Sequence, residues 1–169
     1  MLSTGLLAAY GISLFGVSYP LFGNLSSGRW GVMPLLTERL TVKEKLTPLQ
    51  KLALFAPFFN RAKDDMVMNI IATLPALATV AYNAAPGSNE RLLSIIAFVS
   101  LFIVGPYTNF VLMPTNRKLL KWNETSNEEA ARSEMDDLLH FWEKAHLVRQ
   151  ALFTVAWSAL VGCIALRMQ

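Results

Sequence analysis

The sequence predicts an all-α fold, an integral membrane four-helix bundle with a long amphipathic first cytosolic loop. Three observations point to it. The chain of 169 residues is 53% hydrophobic and 16% charged, with a mean hydropathy of +0.38, which is too apolar for an ordinary soluble domain. Its apolar residues gather in blocks at 2–22, 66–85, 92–113 and 147–166, each close to the roughly 20 residues that cross a bilayer as a helix. Basic residues alternate between the connections. Arg29, Arg39, Lys43, Lys45, Lys51, Arg61 and Lys63 lie between the first two blocks, and Arg117, Lys118, Lys121, Arg132, Lys144 and Arg149 around the third connection. The second connection has only Arg91 and the C-terminal tail only Arg167. That alternation is what the positive-inside rule requires of an even number of spans. Loops 24–65 and 114–146 are therefore expected in the cytosol, and residues 1–169 form a single membrane domain.

The first block carries Gly5, Ala9, Gly16 and Gly23 at helical spacing, with Ile12 and Tyr19 on the same stripe. Small residues so spaced let helices approach closely in lipid, so the stripe predicts a packing seam. Tyr19 and Pro20, near its end, offer a polar group to a pocket. The block has no basic leader, is interrupted by Gly11 and Gly16, and meets no small-x-small cleavage pattern, so it is expected to remain as a span. Within the first loop, "LTPLQKLALFAPFFNRAKDD" mixes apolar residues with Lys51, Arg61 and Lys63 and is punctuated by Pro48 and Pro57. It reads as an amphipathic segment lying on the headgroups, able to roof a site. A loop of this length is expected to be partly ordered.

The third block ends in "GPYTNFVLMPTNRKLLKW", where Gly105, Asn109, Leu112 and Asn116 share a helical stripe that Pro106 and Pro114 should distort. The polar stretch "NETSNEEAARSEMDD" follows, with a cytosolic helix expected to start near Ser126, capped by Ser126 and Glu129. The fourth block is led in by "HFWEKAHLVRQALF". At about 100° per residue, Trp142, His146 and Arg149 fall on one narrow helix face. That face continues through Phe153, with Trp157 on its flank.

Several chemistries are excluded. There is no nucleophile elbow, Gly-rich phosphate loop or dinucleotide fingerprint. His140 and His146 stand about 120° apart around a helix, and Glu143 beside His146 makes too few ligands, so no metal site is expected. The single cysteine, Cys163, rules out a dithiol redox enzyme. The net charge of +3 reflects topology, and no basic-aromatic face suggests nucleic acid. If the third and fourth spans are antiparallel neighbours, Asn116, Arg117, Trp142, His146 and Arg149 converge at the cytosolic boundary. Each also has a plain reading: an aromatic-belt anchor for Trp142, a headgroup contact for Arg117, snorkelling for Arg149, interfacial hydrogen bonding for His146 and helix bridging for Asn109. Intramembrane ionisable residues are costly and often functional, which favours a site.

With these residues in view, "MPTNRKLL" and "WEKAHLVRQALF" resemble the anthrone oxygenase family, small four-span membrane proteins of polyketide pathways. The matching features are Pro-x-Asn at Pro114 and Asn116, and Trp-x-x-x-His-x-x-Arg at Trp142, His146 and Arg149. The resemblance implies oxidation of an anthrone to an anthraquinone by O₂ with no cofactor: no flavin, haem or metal. It implies His146 as catalytic base, because imidazole titrates near neutral pH. Arg149 and Asn116 would stabilise a developing oxyanion or superoxide. Trp142, Phe153 and Trp157 would offer flat surfaces to a tricyclic substrate, with Arg117, Tyr19 and Asn109 completing the substrate-binding set. Tyr19 and Tyr107 are the next candidates for the base. The implied partners are a lipophilic aromatic polyketide, O₂, membrane lipid and soluble pathway enzymes, and the implied compartment is the endoplasmic reticulum or a related endomembrane. A non-catalytic membrane scaffold and a small transporter for a lipophilic metabolite are the alternatives.

Overall fold

Helix ends follow local chemistry throughout the computed structural model, which describes residues 3–29, 31–39, 45–125 and 128–168. Helix α1 spans Thr4–Arg29, α2 Val32–Leu36, α3 Pro48–Asn83 and α4 Asn89–Tyr107. A π-helical stretch, Thr108–Leu112, then leads into α5, Met113–Thr125, and α6 covers Glu128–Arg167. No strand occurs among the described residues. Helix α3 opens with a reciprocal cap: the Gln50 backbone N–H donates to Thr47 Oγ1 at 3.3 Å, and the Thr47 N–H donates to Gln50 Oε1 at 2.9 Å. Pro48 takes the first helical position, where its missing N–H costs nothing. The turn into α4 uses Gly87 at φ 76°, a conformation that favours glycine, and Ser88 Oγ caps the next helix through the Arg91 N–H. Ser126, expected to cap α6, lies outside the described residues.

Four stretches are long and apolar enough to cross a membrane. Their lengths exceed what a bilayer needs. The 36 residues of α3 extend about 54 Å, against a hydrocarbon core of about 30 Å. The helices therefore continue beyond the membrane as a bundle. The amphipathic segment of the first loop is ordered, but as the leading turns of α3 and not as a separate helix on the headgroups. Its apolar residues Leu52, Phe55 and Phe59 are buried with Trp122, Met135, Leu139 and Trp142. Because α5 and the first half of α6 present apolar surface at that level, the protein itself covers the face that lipid headgroups were expected to take. Lys51 anchors this end, its Nζ 2.9 Å from both Glu38 and Asp136. Lys51, with Lys45 behind it, holds the Glu38 carboxyl down to about 2.

Helix α1 packs against α3 and α6, and α4 closes the bundle by packing against the same two. Two apolar cores result. One lies within the spans and includes Val17, Leu77, Leu101, Phe153 and Leu160; the other lies beyond them, around Leu36, Phe55, Leu119 and Met135. Phe15, Ile71, Phe102 and Phe110 point outward from the spans, an arrangement suited to lipid contact. The packed face of α1 is rotated from the expected stripe. Its buried residues are Leu6, Ala9, Tyr10, Ser13, Gly16, Val17, Pro20, Leu21 and Asn24, whereas Ile12 and Tyr19 are exposed. Of the small residues, Gly16 makes the close approach: a methyl group there would overlap the Thr73 hydroxyl of α3. Bulkier leucines and valines on the neighbouring face outcompete Gly5 and Gly23 for burial, and neither of those glycines has a neighbour within reach of an added Cβ.

Candidate active site

Between the two cores lies a polar layer. Helix α6 brings Trp142, His146 and Arg149 to it on one face, as the helical period requires. The guanidinium Nη2 of Arg149 donates to His146 Nδ1 at 2.8 Å, and His146 Nε2 lies 3.0 Å from Asn24 Oδ1 on α1. The same Nη2 lies 3.4 Å from Nε2, so the guanidinium sits beside the ring. Because Asn24 Oδ1 can only accept, Nε2 is assigned the proton and Nδ1 is left with its lone pair. Asn24 Oδ1 is then an acceptor, at 3.0 Å from the imidazole and 3.5 Å from Arg149 Nη2. The His146 ring stacks on Trp142 with centroids 4.5 Å apart, and Phe55 meets the indole edge-on. Trp142 Nε1 donates to Asn116 Oδ1 at 2.8 Å, which orients the Asn116 amide. Its Nδ2 makes only a long contact, 3.8 Å, to Met113 Sδ.

These side chains line a cavity of about 80 Å³ closed by Phe58, Met66 and Thr108. Among the side chains around it, three buried polar atoms have no hydrogen-bond partner: Asn24 Nδ2, Thr108 Oγ1 and Arg149 Nε. Leaving such groups unpaired costs about 1–3 kcal/mol each, so a polar group brought within reach of them would be favoured. On the other side of the imidazole a cleft of about 190 Å³ runs past Glu143, Arg39 and Gln150. Arg39 and Glu143 form an ion pair at its edge.

The residues singled out in the sequence separate into two groups. Asn116, Trp142, His146 and Arg149 come together. Arg117 does not, since it follows Asn116 by about 100° on the helix and is exposed. Asn109 is exposed too. The π-helical stretch, in which the Met113 N–H bonds to the Thr108 carbonyl five residues back, changes the helical phase between Asn109 and Asn116. Pro114, unable to donate, helps hold that irregularity in place. Phe153 is fully buried in the membrane core. Trp157 lies deeper still, donating from Nε1 to Ser18 Oγ at 3.0 Å. Neither lines the cavity. The stripe through them was correctly placed around the helix, but seven residues beyond His146 is about 10 Å further along it. Tyr19 is exposed, with its hydroxyl on Asp65 at 3.0 Å, and the Tyr107 hydroxyl donates to the Ala145 carbonyl at 2.8 Å. Asn24 and Thr108 had escaped notice. The signal available for Asn24 was an amide close to where the first span leaves the apolar block, at the level of His146.

No three His, Cys, Asp or Glu side chains gather as a metal-binding group among the described residues. No curated protein and no solved structure shows significant similarity to the chain. The anthrone oxygenase family model matches residues 55–159, a stretch that contains Thr108, Asn116, Trp142, His146 and Arg149 and runs from α3 well into α6. That match covers more than half of the 169 residues, and the chain therefore belongs to the anthrone oxygenase family.

Proposed function

We propose that this multi-pass membrane protein is a cofactor-independent oxygenase that converts an anthrone-type polyketide to an anthraquinone. The observation that carries the proposal is the buried Arg149–His146–Asn24 chain beside a cavity with unpartnered donors. The overall reaction inserts one oxygen atom of O₂ into the central CH₂ of the anthrone as a carbonyl, and the other leaves as water. A base takes one proton from the CH₂, giving an aromatic, electron-rich anion. That anion passes one electron to O₂, and the resulting radical and superoxide combine into a carbon-bound peroxide. Loss of the second C–H proton with O–O cleavage gives the carbonyl and hydroxide, which is protonated to water.

His146 serves as the base through Nδ1. In the resting site Arg149 Nη2 stands 2.8 Å from Nδ1 and blocks it. A substrate oxygen that draws the guanidinium onto itself frees Nδ1 at the moment the substrate arrives. The Nε2–H then remains on Asn24 Oδ1, which steadies the imidazolium as it forms. Arg149 and the Asn116 Nδ2 stabilise the enolate oxygen, an electrostatic contribution that strengthens where water is excluded. The cleft past Glu143 offers the proton a way to the aqueous side.

The test is oxygen uptake and quinone absorbance with purified protein and 1,8-dihydroxyanthrone. Turnover above the spontaneous rate is expected, unchanged after exhaustive chelation. No excess over spontaneous oxidation would leave the protein a scaffold or transporter, and a metal required for turnover would overturn this mechanism.

Both long connections are proposed to lie on the cytosolic side of an endomembrane, as the positive-inside rule favours. Two glycosylation sequons, at Asn24 and Asn123, lie in them. Asn24 is buried in α1 against His146, so Asn123, half-buried near the end of α5, is the informative reporter. In eukaryotic cells, endoglycosidase should leave the gel mobility unchanged. A shift abolished by Asn123→Gln would reverse the orientation.

A further inference from the structure

A groove of about 380 Å³ runs between α1 and α3, lined by Tyr19, Gly23 and Ser27 on one side and by Phe58, Arg61 and Asp65 on the other. It shares Asn24, Phe58, Ala62 and Met66 with the cavity at His146. We infer that this groove seats a flat, hydroxylated polycyclic ketone, which reaches it sideways from the cytosolic leaflet and presents its oxygenated edge to Asn24, Thr108 and Arg149. The inference rests on the oxygenase reading for the class of ligand, and it assigns a binding site that the reaction chemistry leaves open.

Size and polarity both favour that occupant. The inner cavity, at about 80 Å³, is too small for three fused rings, whereas the groove falls within the roughly 300–1,000 Å³ of small-molecule sites. The surface of the groove is largely apolar, with a few polar side chains among its lining. At the rim, the Tyr19 hydroxyl donates to Asp65 at 3.0 Å, with Arg61 beside them. Beyond the groove, in the adjoining cavity that shares Asn24 with it, Thr108 and Arg149 join Asn24 as the side chains that carry the three unpartnered atoms, Asn24 Nδ2, Thr108 Oγ1 and Arg149 Nε. A lipid acyl chain would fill the trough but give those atoms no partner. A ring system carrying a ketone and phenolic oxygens along one edge would satisfy them and face its neighbouring CH₂ toward His146. Gly23 is what keeps the trough open: it is exposed, and an added Cβ there would meet nothing within 4 Å.

The experiment uses full-length protein in lipid nanodiscs, with 1,8-dihydroxyanthraquinone as an unreactive probe read by saturable quenching of tryptophan fluorescence. Gly23→Leu puts a side chain into the groove from a position where the Cβ meets nothing within 4 Å, and should weaken binding by about tenfold or more, the scale on which filling an apolar pocket discriminates. Ala62→Leu fills it from the facing helix and should do the same. Gly11→Leu, equally unobstructed but remote on α1, should bind as wild type. Thr108→Val removes an unpartnered hydroxyl, so it should weaken binding while leaving thermal stability level or higher. Wild-type affinity in both groove-filling variants overturns the groove while leaving oxidation intact. Groove-dependent binding by a protein that fails to oxidise 1,8-dihydroxyanthrone supports the groove and overturns the oxygenase. Quenching that does not saturate, matching lipid discs alone, overturns the groove.

Discussion

His146→Ala is expected to slow anthrone oxidation by about 10²–10⁴-fold, the usual consequence of losing a general base. Alanine also removes the ring stacked on Trp142, so a second substitution is needed to separate chemistry from packing. In His146→Gln the amide oxygen can accept from Arg149 and the amide nitrogen can donate to Asn24, reproducing both hydrogen bonds of the imidazole without a basic nitrogen. It should be about as slow as the alanine variant, with its thermal transition in detergent near that of wild type. His140→Ala is the internal control, because His140 is exposed and its Nδ1 contacts only the Asp136 carbonyl of its own helix. Oxidation by His146→Gln at the wild-type rate would show that the imidazole is structural. The base would then lie elsewhere, and neither tyrosine hydroxyl is free for it, with Tyr19 on Asp65 and Tyr107 on Ala145.

Arg149→Lys should also lose most of the activity, by about 10²–10³-fold in turnover, the cost of one missing oxyanion donor. The substitution keeps a positive charge but replaces a planar fork with a point donor. That fork now reaches Nδ1 of His146 and Asn24 Oδ1 with one nitrogen and leaves Nε buried without a partner. A lysine cannot serve all three positions. If the role of Arg149 were to hold charge at the membrane surface, lysine would serve equally well, and a wild-type rate in this variant would establish that. Arg117→Lys and Arg117→Ala, on the exposed face of α5, should have little effect in the same assay.

Helical periodicity made one face of this site legible. Trp142, His146 and Arg149 lie four and three residues apart, a spacing that puts side chains together on any α-helix whatever surrounds it. Asn116 could be added because antiparallel neighbours meet at the membrane boundary, and the indole N–H now found on its carbonyl oxygen is the physical form of that meeting. Arg117 was counted in with it, yet one residue on is about 100° round the helix, and Arg117 is exposed. Asn109 was misplaced because its stripe assumed an unbroken α-helix. The two prolines announced a distortion, but nothing in their spacing said that it would be a π-helical stretch that turns Asn109 outward.

Four spans, their alternating flanks and the inward face of the last helix follow from residue chemistry taken a turn at a time, since the bilayer rewards apolar length and helices repeat with a constant period. Local chemistry is silent on which distant groups share a level in the bundle. Asn24 is 122 residues from the histidine it meets, and only the packing of α1 against α6 brings them within a hydrogen bond. Packing likewise joined the amphipathic segment to the second span, because apolar surface on α5 and α6 stood where headgroups were expected. The groove beside Gly23 has the same origin. It is a gap between two helices, and its volume depends on how far apart Gly16 and Thr73 allow them to stand.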